Sequence, residues 1–203
     1  MHIALVVGLL YMATGRAAAG VAGSCRDRLG GYRWYLLNDN VMGGQSTSQV
    51  YPFEVDGISF SGVINTDGGG FVSTRTDASS KIISIPDSAT MIKVEVRGDG
   101  QLYKILLSDG SRGGPGSLSP TFQHDFETTP GKWQTVTLKF ANFQPSFGGR
   151  PRSRPVAPNT AQLRTQDMRM AGFMLSLRTA SGKPNPKFGD GPFRLDVRSM
   201  RFV

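Results

Sequence analysis

The fold is decided most clearly by the segment Met91-Ile92-Lys93-Val94-Glu95-Val96-Arg97, which runs into the turn Gly98-Asp99-Gly100. Its apolar side chains alternate with charged ones, as expected for a strand with one face on a core and the other in solvent. A second strand-like run, Tyr103–Leu107, follows the turn at hairpin distance. The segment therefore predicts antiparallel β-structure.

The same alternation recurs along most of the chain. After Ser199 its phase shifts, which indicates a β-bulge in the last strand. About nine short strands with turn signals between them predict an all-β fold, a β-sandwich. The other predicted strands are Tyr32–Leu37, Ile58–Ile64, Phe71–Thr76, Phe122–Phe126, Gln134–Phe140, Phe173–Arg178 and Phe193–Arg198, and the long connections are Ser108–Ser119, Gln144–Thr160 and Thr179–Gly191.

Length and composition limit the classes of site that the chain can hold. With 203 residues it suits one domain, or one domain plus a short leader. Cys25 is the only cysteine, so an intramolecular disulfide and cysteine-paired zinc sites are excluded. Two histidines, His2 and His124, leave little for metal binding or histidine catalysis. We expect no metal and no cofactor.

The N-terminal residues are typical of a targeting leader. The apolar run Ile3–Ala13 precedes the small residues Ala17–Gly23, a pattern that favours a cleavable secretory signal. The run is too short to span a bilayer, so no transmembrane span is predicted. A mitochondrial leader is the alternative, with Arg16 as its single arginine. We expect residues 1–24 to be the leader, residues 25–203 to be one domain, and the protein to reach an exported or membrane-enclosed compartment.

The net charge of +8 is concentrated in the last part of the chain. Residues 145–203 hold 11 basic and 3 acidic residues. This excess favours an acidic partner such as an acidic protein surface, a phosphate or an anionic membrane surface, with a solubilising basic face as the alternative. If the last two strands pair, Arg178 would share a polar face with Arg194 or Arg198. Nucleic acid is not expected, because no aromatics are interleaved with these arginines. The candidate contacts in the Arg/Pro connection are Arg150, Arg152 and Arg154.

Two glycine-bracketed segments, Asn38–Ser46 and Gly68–Thr76, are the strongest candidates for a partner-binding loop. Alternatively they form a structural corner, in which Asp39 satisfies buried N–H groups and Met42 plugs the end of the core. Too few oxygens cluster here for calcium. Arg75 could form a bidentate bond to a carboxylate, with an internal partner such as Asp39 or Asp99 favoured over an external one. The candidate contacts are Asn38, Asp39, Asn40, Met42, Gly43, Gly44, Ser46, Gly69, Gly70 and Arg75.

The tryptophans do not indicate a sugar-binding site, and the polar residues do not indicate an enzyme. Trp34 and Trp133 lie in alternating apolar segments, which favours core packing over platforms for sugar rings. The Gly-x-Ser-x-Gly motif of serine hydrolases is absent, and no His-Asp partnership can be assembled around His124 alone. Acids lie mostly in turns rather than as a pair in a cleft. The sequence therefore predicts a non-catalytic binding protein.

An ordered series of motifs resembles the complex I intermediate-associated protein 30 family, from about Trp34 to Val203. The resemblance implies a jelly-roll β-sandwich of two antiparallel sheets, similar to galactose-binding domains. The chain departs from the family pattern after Phe143 and in the extended connection Lys183–Asp190. The motifs are Trp34, Asn38–Ser46, Phe60–Gly62, Gly68–Arg75, Val96–Gly100 with Tyr103 and Lys104, Trp133, Phe140 with Phe143, and Gly191–Val197.

The resemblance also implies a function. The best-known members of the family act on assembly intermediates of respiratory NADH:ubiquinone oxidoreductase, complex I, in the manner of chaperones, while other members have no such settled role. We therefore expect a protein-binding assembly factor with a protein partner. A carbohydrate-binding module in an exported compartment is the alternative, because the leader is typical of secretion and many β-sandwiches bind sugars.

Overall fold

A computed structural model describes residues 29–77, 83–110, 120–147, 150–151 and 163–203 of the chain. Twelve β-strands and four short 3-10 helices occur in these ranges, with no α-helix among them. No helix of the described part is long and apolar enough to cross a lipid bilayer. The predicted leader, residues 1–24, and Cys25 lie outside the described residues.

The strands form two sheets, numbered here in chain order. One sheet has seven strands in the order β1-β4-β11-β6-β7-β9-β10, and the other has five in the order β2-β3-β12-β5-β8. All pairings between these strands are antiparallel, which confirms the predicted two-sheet arrangement. The strands are β1 (Trp34–Asn38), β2 (Thr47–Phe53), β3 (Gly57–Ile64), β4 (Phe71–Thr76), β5 (Met91–Arg97), β6 (Leu102–Ser108), β7 (Thr121–Glu127), β8 (Trp133–Lys139), β9 (Gln144–Phe147), β10 (Arg150–Pro151), β11 (Met170–Ser176) and β12 (Gly191–Phe202).

The core lies between the inner faces of the two sheets. Ile92, Val94 and Val96 of β5 are fully buried, whereas the charged residues between them are not. Ile105 and Phe173, which belong to the seven-stranded sheet, are also fully buried in this core. Burial of aliphatic and aromatic side chains contributes roughly 1.5–3 kcal/mol each, so this alternation is the main source of stability. The strand predicted over Met91–Arg97 is confirmed.

Trp34 anchors β1 on this core. Its ring stacks on Phe173, with centroids 6.2 Å apart, and its indole N–H donates a hydrogen bond to the carbonyl of Leu29 at 2.8 Å. The predicted core role of Trp34 is confirmed. The partly buried indole keeps its N–H bonded because an unpaired donor would be costly against the apolar core.

Three strands lie where the sequence predicted none. β2 contains Pro52 and polar residues, which obscure its alternation, and it occupies the edge of its sheet, where proline costs no ladder hydrogen bond. β9 and β10 form the start of the predicted Gln144–Thr160 connection. β2 and β10 are edge strands and pair on one side only, while β9 lies between β7 and β10 but is only four residues long. Strands at an edge or of this length need little of the apolar pattern that reveals a long central strand.

The last two long strands do not pair with each other. β11 pairs with β4 and β6 in the seven-stranded sheet, and β12 pairs with β3 and β5 in the five-stranded sheet. The predicted polar face shared by Arg178 with Arg194 or Arg198 is therefore wrong. Alternation fixes which side chains share a face of one strand, but it does not fix the neighbouring strand.

Candidate partner-binding surfaces

The two glycine segments meet at one corner of the sandwich, which we call the glycine corner (residues 38–46 and 65–70). A 3-10 helix, Asp39–Met42, leads from β1 toward β2. It ends at Gly43, which adopts φ 92° in the left-handed region where glycine is favoured. The backbone of Gly43 lies against Gly68 of the second segment. The two loops are therefore in direct contact.

A fully buried carboxylate joins the two segments. The Ser46 N–H donates to Oδ1 of Asp39 at 3.1 Å, while the Ser46 hydroxyl at 2.7 Å and the Gly70 N–H at 3.0 Å donate to Oδ2. Asp39 has no exposed surface. The carboxylate is therefore held by neutral donors from both loops. This confirms the alternative that the two segments form a structural corner around Asp39.

Only glycine fits beside this carboxylate, because there is no room for a side chain. A Cβ atom on Gly44 or Gly69 would collide with the Asp39 carboxylate. Both loop backbones thus approach the side chain directly. The packing explains why each segment contains consecutive glycines.

The polar side chains of the first segment bond within the corner. The Asn40 amide donates to the Gly44 carbonyl at 3.0 Å, and the Ser48 hydroxyl donates to the Asn38 side-chain oxygen at 2.8 Å. The N–H of Asn65, just after β3, donates to the Ser46 hydroxyl at 3.1 Å. These bonds fix the loop to both β2 and the end of β3.

The exposed tip of the 3-10 helix at the glycine corner carries two apolar residues, next to the exposed polar residues Asn40, Gln45, Thr66 and Asp67. Val41 is 66 % exposed and Met42 is 68 % exposed. The expectation that Met42 plugs the core is therefore wrong, because the 3-10 helix turns it outward. A partner approaching this corner would meet Val41 and Met42 before the buried Asp39.

Arg75 lies on the outer face of the seven-stranded sheet, opposite Tyr35 of β1 and Gly172 of β11. Its Nε donates to the Ser73 hydroxyl at 3.3 Å. Burial lowers the pKa of Arg75, and the neighbouring Tyr35 phenol opposes this. The expected pairing of Arg75 with Asp39 or Asp99 is wrong.

A buried lysine lies on the same outer face. Lys104 donates from Nζ to the Gln123 side-chain oxygen at 3.2 Å and to the Ser176 hydroxyl at 3.0 Å. It is 5 % exposed. Burial lowers the pKa of Lys104 to about 8, with Asp125 acting in the opposite direction. Neutral hydrogen-bond partners thus hold an amine that titrates near physiological pH.

A second cluster occupies the outer face of the five-stranded sheet, which we call the arginine face. Strand register places one residue from each strand in a single row across it: Tyr51, Ser59, Asp196, Arg97 and Trp133. Asp196, at the centre of the row, is buried, and the other four residues lie on either side of it. The row therefore combines an ion pair with two aromatic ends.

Asp196 is held by charged donors. Arg97 Nη2 lies 2.8 Å from Oδ2, Arg194 Nε lies 2.9 Å from Oδ1, and the Ser59 hydroxyl donates to Oδ1 at 2.7 Å. Burial by itself would raise the pKa of Asp196, but the hydrogen bonds from Ser59 and the two arginines outweigh it and lower the pKa below 3.8. This carboxylate stays ionised.

Trp133 lies at the end of the row and not in the core, so its predicted core role is wrong. The guanidinium carbon of Arg198 lies 3.9 Å from the centroid of its ring, and that of Arg97 lies 5.0 Å away. The predicted bulge in β12 is confirmed between Val197 and Ser199, the site of Arg198. Arg198 also pairs with Glu54 at 2.9 Å and Glu95 at 2.8 Å.

Asp99 links this face to the core. Its carboxylate accepts hydrogen bonds from the Tyr103 hydroxyl at 3.0 Å and from the Arg194 N–H at 2.8 Å. Burial, followed by the charge of Asp99, raises the pKa of the Tyr103 phenol. The predicted turn Gly98-Asp99-Gly100 thus fixes the backbone at Arg194.

The sequence interpretation missed Asp196, Arg97 and Val41 as candidates. A usable signal was present in β12, where Asp196 is the one acid among three arginines, Arg194, Arg198 and Arg201. Such an acid on a basic strand indicates a local ion-pair centre.

The predicted basic contacts in the Arg/Pro connection fall largely outside the described part. The backbone of Arg150 forms part of β10, while Arg152 and Arg154 lie outside the described residues. Within the described ranges, no group of three or more His, Cys, Asp or Glu side chains could hold a metal ion.

Comparison with known proteins relates the chain to one family and one fold. The model of the family described as complex I intermediate-associated protein 30 matches residues 28–197, in agreement with the resemblance seen in the motifs. A comparison with curated proteins found no match.

Two solved structures are similar to this chain, and the first of them shows the fold. The Family 11 carbohydrate-binding module of the cellulosomal cellulase Lic26A-Cel5E of Clostridium thermocellum is 14% identical, with a TM-score of 0.55 over 91% of this chain and 96% of that one. A Family 11 module from Clostridium thermocellum in complex with a beta-1,3-1,4-mixed-linked tetrasaccharide is 14% identical, with a TM-score of 0.49 over 85% and 88%. The predicted fold, a jelly-roll β-sandwich similar to galactose-binding domains, is confirmed. Fold likeness at this identity carries no function.

Proposed function

The chain belongs to the complex I intermediate-associated protein 30 family, and on that premise we propose that it is a non-catalytic, protein-binding assembly factor. Its partner would be an assembly intermediate of a membrane complex such as respiratory complex I. It would act as a chaperone does, binding a surface that is later covered. The proposal concerns binding alone, without chemical change of the partner.

One observation carries the proposal: the glycine corner holds an apolar tip in a fixed position. Val41 and Met42 are mostly exposed, whereas the loop beneath them is bonded to itself through Asp39. An exposed apolar tip loses little conformational entropy on binding if its backbone is already ordered. Methionine also adapts to irregular partner surfaces.

The buried carboxylates support a binding role rather than catalysis. Asp39 and Asp196 each accept hydrogen bonds on both oxygens, and both are almost fully buried. A general acid or base must reach the proton it transfers. Each of these groups instead stabilises the fold around it.

Capture of partners from the native source tests the proposed function. The tagged full chain is expected to recover subunits of a membrane complex, and the double variant Val41→Ser with Met42→Ser is expected to recover at least tenfold less, because about 3 kcal/mol of apolar contact is removed. Val55→Ser is the matched control, since Val55 is 92 % exposed at the opposite end of β2.

Two outcomes would contradict the proposed function. One is recovery of no membrane-complex subunit by the unaltered chain. The other is equal loss of recovery with Val55→Ser, which would indicate general stickiness rather than binding through the glycine corner. Unfolding curves of all three proteins separate these outcomes from loss of the fold.

A carbohydrate-binding role is the second candidate, favoured by the outer face of the seven-stranded sheet. Tyr35 is 43 % exposed there and lies opposite Arg75. An exposed aromatic ring beside a planar donor can stack on a sugar and bond to its hydroxyls. A glycan array with the purified chain tests this role. Binding that Tyr35→Ala abolishes would support it, and a flat response would remove it.

The compartment is part of the proposal. The leader expected over residues 1–24 would direct the protein to an exported compartment, or to the mitochondrion in the alternative. Determination of the N-terminus of the mature protein, together with its location in the cell, tests this. A mature protein that retains Met1 would contradict cleavage.

A further inference from the structure

Positive charge in this protein is segregated by sheet. The strands of the five-stranded sheet carry six basic and two acidic residues, a net charge of +4. The strands of the seven-stranded sheet carry three basic and two acidic residues, a net charge of +1. Half of the chain's formal charge of +8 thus lies on one sheet. A field of this kind attracts an anionic partner.

Arg194 is the residue on this face best placed to contact such a partner. Its side chain is 51% exposed, although its Nε is fixed on Asp196 at 2.9 Å. Its backbone N–H is held by Asp99. The hydrogen bonds of its side chain to described residues use Nε alone, which leaves Nη1 and Nη2 for an external acceptor. The guanidinium is therefore positioned before any partner arrives.

The surroundings of Arg194 are suited to a carboxylate. Register places Arg194 opposite Ser61 of β3, one row from Tyr51. Hydrogen bonds from Ser59 and Ser61, with a contribution from the charge of Arg194, lower the pKa of the Tyr51 phenol. Hydroxyls and a guanidinium on one face offer several donors to a single anionic group.

The tryptophan end of this face disfavours ligands that bind by stacking. The Trp133 ring already carries the guanidinium of Arg198 at 3.9 Å, and Arg198 is fixed by Glu54 and Glu95. Sugars and nucleic-acid bases need an uncovered ring for stacking. Side-chain carboxylates need only the donors.

We propose that the arginine face binds an acidic segment of a protein partner, with Arg194 as the main contact to a carboxylate and with Arg97 and Tyr51 beside it. This inference rests on the proposed function and names a second surface for it. Asp196 positions both arginines without neutralising the face, because the strands retain a net positive charge. The ordered side chains reduce the entropy lost on binding.

Titration with an acidic polymer tests the inference. The probe is a poly-glutamate peptide of about 20 residues, added to the full chain at low salt and followed by calorimetry. Arg194→Ala is expected to weaken binding about tenfold, since one charge-assisted contact is lost. Arg194→Lys is expected to recover only part of this, because lysine lacks the planar fork.

Lys183→Ala is the matched control, an exposed basic residue on the connection between β11 and β12. It removes the same charge away from the arginine face and is expected to leave poly-glutamate binding within twofold of the unaltered chain. Equal weakening by Lys183→Ala and Arg194→Ala would overturn the inference, since net charge alone would then explain binding.

Other anionic probes decide between classes of partner. Poly-uridylate and vesicles containing phosphatidylserine are titrated under the same conditions. Tighter binding of either probe, lost on Arg194→Ala, would overturn the acidic-protein assignment, as would no binding of poly-glutamate. Poly-glutamate binding that Arg194→Ala selectively weakens would support it.

The two proposals fail in different ways. The variant Val41→Ser with Met42→Ser should bind poly-glutamate normally while losing the native partner. Arg194→Ala should lose part of both. Normal native capture by Arg194→Ala would overturn the arginine face and leave the proposed function standing. Absent capture by the unaltered chain, together with Arg194-dependent poly-glutamate binding, would overturn only the proposed assembly role.

Discussion

The glycine corner and the arginine face each bury one aspartate, and they satisfy it in opposite ways. Asp39 is held by neutral donors from Ser46 and Gly70. Asp196 is held by two arginines and one serine from three strands. Backbone N–H groups and a serine hydroxyl are small, so the two loops can approach Asp39 closely. The long, charged arginine side chains reach Asp196 and still keep part of their surface in solvent. The first arrangement gives rigidity, and the second gives a surface that still attracts anions.

The largest expected effect lies at the corner. Asp39→Ala should lower the free energy of unfolding by about 3 kcal/mol, because three donors, two of them buried, lose the carboxylate and the two loops lose the side chain that joins them. Urea unfolding measures this change. Asp67→Ala is the control, since Asp67 is an exposed acid in the same loop. A similar loss for both variants would contradict the assigned role of Asp39.

Lys104 extends the comparison to a buried base with neutral partners. Its pKa is about 8 in the folded protein and 10.5 when unperturbed, so between these values the unfolded chain binds more protons. Stability should therefore rise with pH, by about 2 kcal/mol between about pH 7.5 and pH 9.5. Thermal unfolding across this range measures the slope.

Lys104→Met provides the control for that slope. Methionine keeps the apolar stem and removes the titrating amine, so the variant should show a flat stability profile over the same range. An unchanged slope in Lys104→Met would assign the effect to another group and contradict the inferred burial of the amine.

The smallest effect is expected at Asp196. Asp196→Asn should cost about 1 kcal/mol near neutral pH, because Arg97 and Arg194 are partly exposed and can be hydrated. Since the pKa of Asp196 lies below 3.8, its contribution is present above that pH and is lost as the pH falls through the folded-state value. Acid unfolding of both proteins should converge there. A cost equal to that of Asp39→Ala would remove the contrast between the two regions.

Local pattern explains how much of the fold could be predicted. Met91–Arg97 and Phe71–Thr76 are strands with the predicted bounds, because period-two alternation depends only on neighbours in sequence. β2 escaped because an edge strand with Pro52 has little alternation. The pairing of β12 with β3 and β5 depends on residues about 100 or more positions apart, which no local pattern contains.

The candidate sites show the same difference between contacts that are local in sequence and contacts between distant strands. Asp39 as a structural centre was an open alternative in the sequence, because its donors lie within the two glycine segments. Asp196 was not foreseen, since Arg97 lies 99 positions away and meets it only through register. The exposure of Met42 was also missed, because the direction of a side chain on a 3-10 helix depends on how that helix leaves β1.

The central place of β12 has a consequence for synthesis. This strand joins the two halves of its sheet, β2-β3 on one side and β5-β8 on the other. A ribosome must therefore extrude residues 191–202 before either half gains its neighbour, and until then β3 and β5 each present an open edge to other chains. Translation that stops before Gly191 would therefore release a product with two open strand edges, which is prone to aggregate.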